Sequence, residues 1–175
     1  MHLSELGARI CILGPSNSGK STLAQAIARK RDVKVVHLDQ LRHIPDTDWQ
    51  LRTADEFRTL HDDAIAGEAW VMEGNYSACM PQRFLQATGV ILLDVSTPVS
   101  VFRYVRRTLF EHGRPGSLKG GRDSIKWFMI RHIVVITPGN RQRYADMYRQ
   151  IDLPKICLPS IRSIRECYRQ WNLER

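Results

Sequence analysis

The chain has 175 residues, 43% of them apolar, enough to bury one core and too many for a disordered chain. Its formal net charge of +8 favours anionic partners, among which charge alone does not choose. The four cysteines form no CxxC pair or zinc-type Cys/His cluster, the first residues lack a signal core, and no apolar run is long enough to span a membrane; the expectation is a soluble, cytoplasmic protein with no membrane partner.

From the amino end, Arg9 to Leu13 reads as a short apolar strand, followed at once by a glycine-rich loop. A helix is predicted from about Lys20 to Arg29, with Leu23, Ala24, Ile27 and Ala28 on one face. Val33 to Leu38 is a second strand, on which His37 reads as packing. After an irregular stretch around Pro45, a helix covers about Ala54 to Ala66 and is ended by Gly67. Trp70 to Met72 is a third strand, leading into Glu73-Gly74-Asn75, and a helix follows Pro81. Val90 to Leu93 is all apolar, the pattern of a central parallel strand covered on both faces. Thr97-Pro98 opens a helix to about Glu111, with Phe102, Val105 and Leu109 assigned to the core. Gly113 to Gly121 is a loop, Ser124 to Ile136 a helix broken by Pro138-Gly139, and Lys155 to Leu158 the last strand. Ile161, Ile164, Tyr168 and Trp171 line a final helix.

This alternation predicts an α/β fold: a single three-layer α/β/α domain over 1–175, with a mostly parallel five-stranded sheet and a short lid at about 109–124. Ligands of such sheets sit beyond the carboxyl ends of the strands. Gly14-Pro15-Ser16-Asn17-Ser18-Gly19-Lys20-Ser21 occupies such a position and matches GxxxxGK[ST] between strand and helix. Glycines let the backbone curl so that successive N–H groups face phosphate oxygens, and the helix N-terminus adds partial positive charge. Lys20 is expected to reach the β- and γ-phosphates of ATP and the Ser21 hydroxyl to ligate Mg²⁺; Thr22 is either a further phosphate contact or a helix-surface residue, since a helix N-terminus favours hydroxyls in any case. The metal shell needs a carboxylate, for which Glu73 and Asp94, at the ends of the third and fourth strands, are the candidates.

The whole chain resembles the P-loop nucleoside monophosphate kinases. Within them it is most similar to the bacterial adenylate-kinase-like "DNA topology modulation" proteins. Beside the P-loop, the resemblance rests on His37-Leu38-Asp39-Gln40-Leu41-Arg42, on Glu73-Gly74-Asn75-Tyr76, and on Val90 to Val95 with the helix that follows. It implies phosphoryl transfer from ATP to a small acceptor, most readily a nucleotide, with Asp39, Arg42, Glu73 and Asn75 on the acceptor side. Arg42 would bind its anionic group, and Asp39 or Asn75 a hydroxyl or base. The family's Phe-Pro-Arg is missing after Gly74, and Arg83 stands further on.

Arg103, Arg106 and Arg107 share one helix face, and Arg114 continues the charge into the loop. Arg106, Arg107 and Arg114, with Lys20, are the candidate catalytic set, clamping the charge that develops on the transferred group. A nucleic-acid-associated or regulatory ATP-binding protein is the alternative reading of the same charge.

Overall fold

A computed structural model describes residues 1–47, 49–110, 131, 134–135 and 137–174, excluding the side chains of Arg107, Phe110, Thr137 and Pro138. The strands are β1 (Arg9–Leu13), β2 (Lys34–His37), β3 (Trp70–Glu73), β4 (Gly89–Leu93) and β5 (Lys155–Leu158). The helices are α1 (Lys20–Arg31), α2 (Leu38–Arg42), α3 (Ala54–Ile65), α4 (Met80–Gln86), α5 (Thr97–Phe110), α6 (Thr137–Gln150) and α7 (Ile161–Gln170).

All five strands pair in parallel in the order β2-β3-β1-β4-β5. β1 lies at the centre because its residues are apolar on both faces. Ile10 and Ile12 face α1 and α7, packing with Leu23, Ile27, Ile164 and Tyr168. Cys11 and Leu13 face the opposite layer, packing with Phe57, Met80 and Tyr144 from α3, α4 and α6. The expected three layers are present. The chain leaves β1 toward β3 and β2 on one side and reaches β4 and β5 on the other, so the crevice opens at the carboxyl end of β1.

Local chemistry fixes the helix starts. Thr53 Oγ1 accepts from Glu56 N at 3.3 Å, while Glu56 Oε2 accepts from Thr53 N at 2.8 Å, a reciprocal cap on α3. Ser160 caps α7 in the same way, with Ser163 N donating to its Oγ at 3.0 Å.

Three expectations need correction. Pro138-Gly139 lies in the first turn of an unanticipated helix, α6, where proline lacks only a hydrogen bond that no first-turn residue makes. The short α2 replaces the end of the second strand and the start of the irregular stretch. On α5, Ser100 and Tyr104 face the interior, whereas Phe102 and Leu109 are 68% and 55% exposed. The helix is rolled so that Arg103 meets the P-loop, and tertiary placement prevails over apolar periodicity. The expected loop Gly113 to Gly121 and most of the helix Ser124 to Ile136 lie outside the described residues.

Candidate nucleotide and acceptor site

The loop from Gly14 to Gly19 joins β1 to α1 with three positive φ angles: Gly14 at 142°, Asn17 at 62° and Gly19 at 102°. Gly14 is obligatory by contact as well as angle, since a Cβ there would stand 2.2 Å from the Leu93 carbonyl oxygen. At Gly19 a Cβ would lie 2.9 Å from Arg103 Nη2. The α5 guanidinium therefore hangs over the loop at the head of α1, where phosphate charge is expected.

Lys20 Nζ donates to the Pro15 carbonyl at 2.8 Å, which folds the side chain back across the loop. Ser21 Oγ donates to Glu73 Oε1 at 2.9 Å. His37 Nδ1 meets the same oxygen at 2.9 Å, because the parallel register sets His37 beside Glu73 at the ends of β2 and β3. Burial alone would raise the Glu73 carboxyl, but the His37 hydrogen bond, the Lys20 charge and the Ser21 hydroxyl hold it below its ordinary value. Glu73 is thus an anion inside the site, and its oxygens beside the Ser21 hydroxyl are hard donors suited to Mg²⁺. Asp94, the other candidate, accepts from Arg141 Nε at 2.7 Å. Thr22 is exposed on the first turn of α1.

Asn75 grips the loop from the side: its Nδ2 donates to Gly14 O at 2.8 Å and its Oδ1 accepts from Gly14 N at 3.2 Å. Both ends of its amide are thereby engaged on the backbone. Behind it, the fully buried Arg83 donates from Nη1 to Gly74 O at 3.1 Å. Tyr76 Oη donates to Asp39 Oδ1 at 2.7 Å.

These residues surround a cavity of about 290 Å³, walled by Pro15, Ser16 and Lys20 on the loop side and by Asp39, Gly74, Asn75 and Tyr76 from the ends of β2 and β3. Asn140 and Tyr144 of α6 close it. The structure thus brings Lys20, Asp39 and Asn75 to one crevice. Arg42 is not among the lining residues; its Nη1 donates to the carbonyls of Arg52 and Thr53, and its guanidinium lies over the Phe57 ring at 5.7 Å. Arg106 is exposed on α5; Arg114 and the Arg107 side chain lie outside the described residues.

Sequence reasoning placed Tyr76 at the crevice but missed its bond to Asp39, the His37 bond to Glu73 and the wall supplied by Asn140 and Tyr144. His37 sits at a strand end facing the crevice, a usable signal. Asn140 and Tyr144 had none, because their helix was not anticipated.

No family model and no curated protein matches the chain. Solved structures do. A gluconokinase from Sinorhizobium meliloti 1021 superposes with a TM-score of 0.52 at 14% identity, covering 96% of this chain and 93% of that one. A shikimate kinase from Bacteroides thetaiotaomicron gives 0.52 at 19% identity, covering 95% and 99%. At these identities the likeness establishes the fold: a parallel five-stranded α/β sheet flanked by helices, as in P-loop kinases.

Proposed function

We propose that the chain is a P-loop kinase that transfers the γ-phosphoryl group of ATP to a small acceptor. The observation that carries this reading is the pairing of two half-sites in one crevice. One half is the loop Gly14 to Ser21, with Lys20 and with the Ser21 hydroxyl bonded to Glu73. The other is the polar wall of Asp39 and Tyr76, facing the same cavity. A nucleotide-binding switch needs only the first half, whereas a second polar wall gives an acceptor a place to bind in line.

The loop N–H groups and Lys20 bind and orient the triphosphate. Ser21 and Glu73 would hold Mg²⁺, with Glu73 preferred to Asp94 because Asp94 is already paired with Arg141. When bound, Mg²⁺ neutralises charge on the phosphate oxygens. Arg103 lies over Gly19 and so stands first among the α5 arginines to stabilise the transferring group, with Arg106, Arg107 and Arg114 as further members of the clamp. A cytoplasmic location is part of this proposal; among the described residues no helix is long and apolar enough to cross a membrane. The family resemblance puts a nucleotide in the acceptor place; the presence of Asp39 in the cavity wall supports that reading, while Asn75 bonds the Gly14 backbone and Arg42 bonds the Arg52 and Thr53 carbonyls through Nη1.

The test is a phosphotransfer panel, pairing γ-labelled ATP and GTP with all the nucleoside monophosphates and several sugars, alongside thermal shift. Mg²⁺-dependent transfer of label to one acceptor is expected. Tight binding to DNA that weakens steeply with salt, with no acceptor labelled, would move the protein to the nucleic-acid reading that its net charge allows.

A further inference from the structure

We infer that His37 is a positioning residue for the metal-binding carboxylate: its Nδ1–H locks the Glu73 side chain so that Oε1 is held by protein donors and Oε2 is left for Mg²⁺. The inference rests on the Mg²⁺–ATP part of the kinase reading and adds a residue to it.

Strand register is the first ground. β2 and β3 pair in parallel with His37 beside Glu73, each the last residue of its strand. Paired residues on adjacent strands project to the same face of a sheet. The imidazole and the carboxylate are therefore brought together by the sheet itself, and a group carried on a strand is placed more precisely than one on a loop. Both side chains are buried, with Nδ1 at 2.9 Å from Oε1.

The second ground is where the His37 hydrogen goes. His37 is the N-cap of α2, a place where serine, threonine, aspartate or asparagine would accept from the first turn. Its side chain makes no such capping bond. Its Nδ1 is directed at Glu73 instead. Glu73 is an anion with no proton to give, so the hydrogen in this contact is on Nδ1 and His37 is the donor.

Convergence is the third ground. Ser21 Oγ donates to the same Oε1 at 2.9 Å. A carboxylate oxygen offers about two lone-pair sites, and here His37 and Ser21 take both. Oε2 is the oxygen left for the cation or for one of its waters. Ser21 spends its one proton on Oε1 and keeps its own lone pairs for the metal. The terminal torsion of a glutamate is broad, so a single bond from Ser21 would let the carboxylate turn. Two donors, one on α1 and one on β2, fix its plane. That matters for Mg²⁺, which demands near-octahedral geometry.

The experiment uses the full chain with a non-hydrolysable ATP analogue and Mn²⁺ as the probe for Mg²⁺, and reads the Mn²⁺ dissociation constant from the free-ion EPR signal. Affinity for the analogue in EDTA is measured in parallel. His37→Leu should weaken Mn²⁺ roughly 10- to 100-fold, the usual worth of an outer partner to a metal ligand, and change the affinity in EDTA by less than about threefold. His37→Asn or His37→Gln restores an N–H donor and should recover most of the loss. Unchanged Mn²⁺ affinity in the folded leucine variant overturns the inference. An equal loss in all three variants, the mark of disturbed packing, overturns it too. Should the leucine variant not fold, the unsubstituted chain decides. NMR of nitrogen-labelled histidine should find the His37 hydrogen on Nδ1, with that resonance shifting when Mg²⁺ joins the analogue complex. A hydrogen on Nε2 alone, or no shift, overturns the inference. Mn²⁺ binding that is indifferent to His37 leaves the kinase reading standing. Failure of the analogue to bind the unsubstituted chain would bring down that reading, and this inference with it.

Discussion

Lys20 and Glu73 test the site at the smallest scale because each can be changed without touching the core clusters. Lys20→Ala should leave circular dichroism unchanged and weaken ATP roughly 10- to 100-fold, the worth of a charged hydrogen-bonding partner. Unaltered ATP affinity in the folded variant would remove the P-loop assignment. Glu73→Gln keeps the shape of the side chain and loses its charge. The Mg²⁺ concentration needed for half-maximal nucleotide binding should rise about tenfold or more, while Asp94→Asn should leave it nearly unchanged; the reverse result would transfer the metal role to Asp94. The motif residues were legible in the sequence because their spacing is local. The grip of Asn75 on Gly14 and the Leu93 carbonyl that forbids a side chain at Gly14 were not. Both depend on which strands are neighbours, and a single sequence does not contain that pairing directly.

At the scale of elements, five strands were readable because short apolar-rich runs bounded by turn residues leave few alternatives. Helix α6 was not, since a Pro-Gly pair reads as a stop unless it lies in a first turn. The roll of α5 was equally hidden. Its arginines and its apolar residues are both periodic, and only contact with the P-loop decides which faces inward. That roll yields a kinetic prediction. Arg103→Ala should lower kcat by tenfold or more and change the KM for ATP much less, because a group aimed at developing charge acts mainly in the transition state. Simple surface charge predicts a small, salt-sensitive change in KM and a nearly normal kcat. Measuring both constants at low and high salt separates the two.

For the whole molecule, two buried groups set the response to acid. Burial, helped by the nearby Arg83 charge and opposed by Asp62, holds His61 below its ordinary pKa, and Glu73 is also depressed. In both cases the unfolded chain takes up its proton at higher pH than the folded one. Stability therefore rises with pH across each window and is lost as pH falls, first below about 6.5 for His61 and then below about 4.3 for Glu73. Urea midpoints at pH 7.5, 5.5 and 4.5 should fall in that order, and a flat profile would show that neither group is coupled to folding. Cysteine placement has a practical consequence at the same scale. Cys11, Cys79 and Cys167 are buried, and burial pushes the Cys11 and Cys167 thiols up to about 12; the Cys157 thiol is also raised, by burial and the Asp94 charge, but it alone is exposed to a reagent. Thiol reagents attack the thiolate, so a maleimide dye should add once to the native chain and four times in urea, as counted by mass spectrometry. Cys157 pairs with Leu92 on β4, next to the strand end that meets Gly14, so the unmutated protein carries a single attachment point for a fluorophore that could signal the arrival of nucleotide.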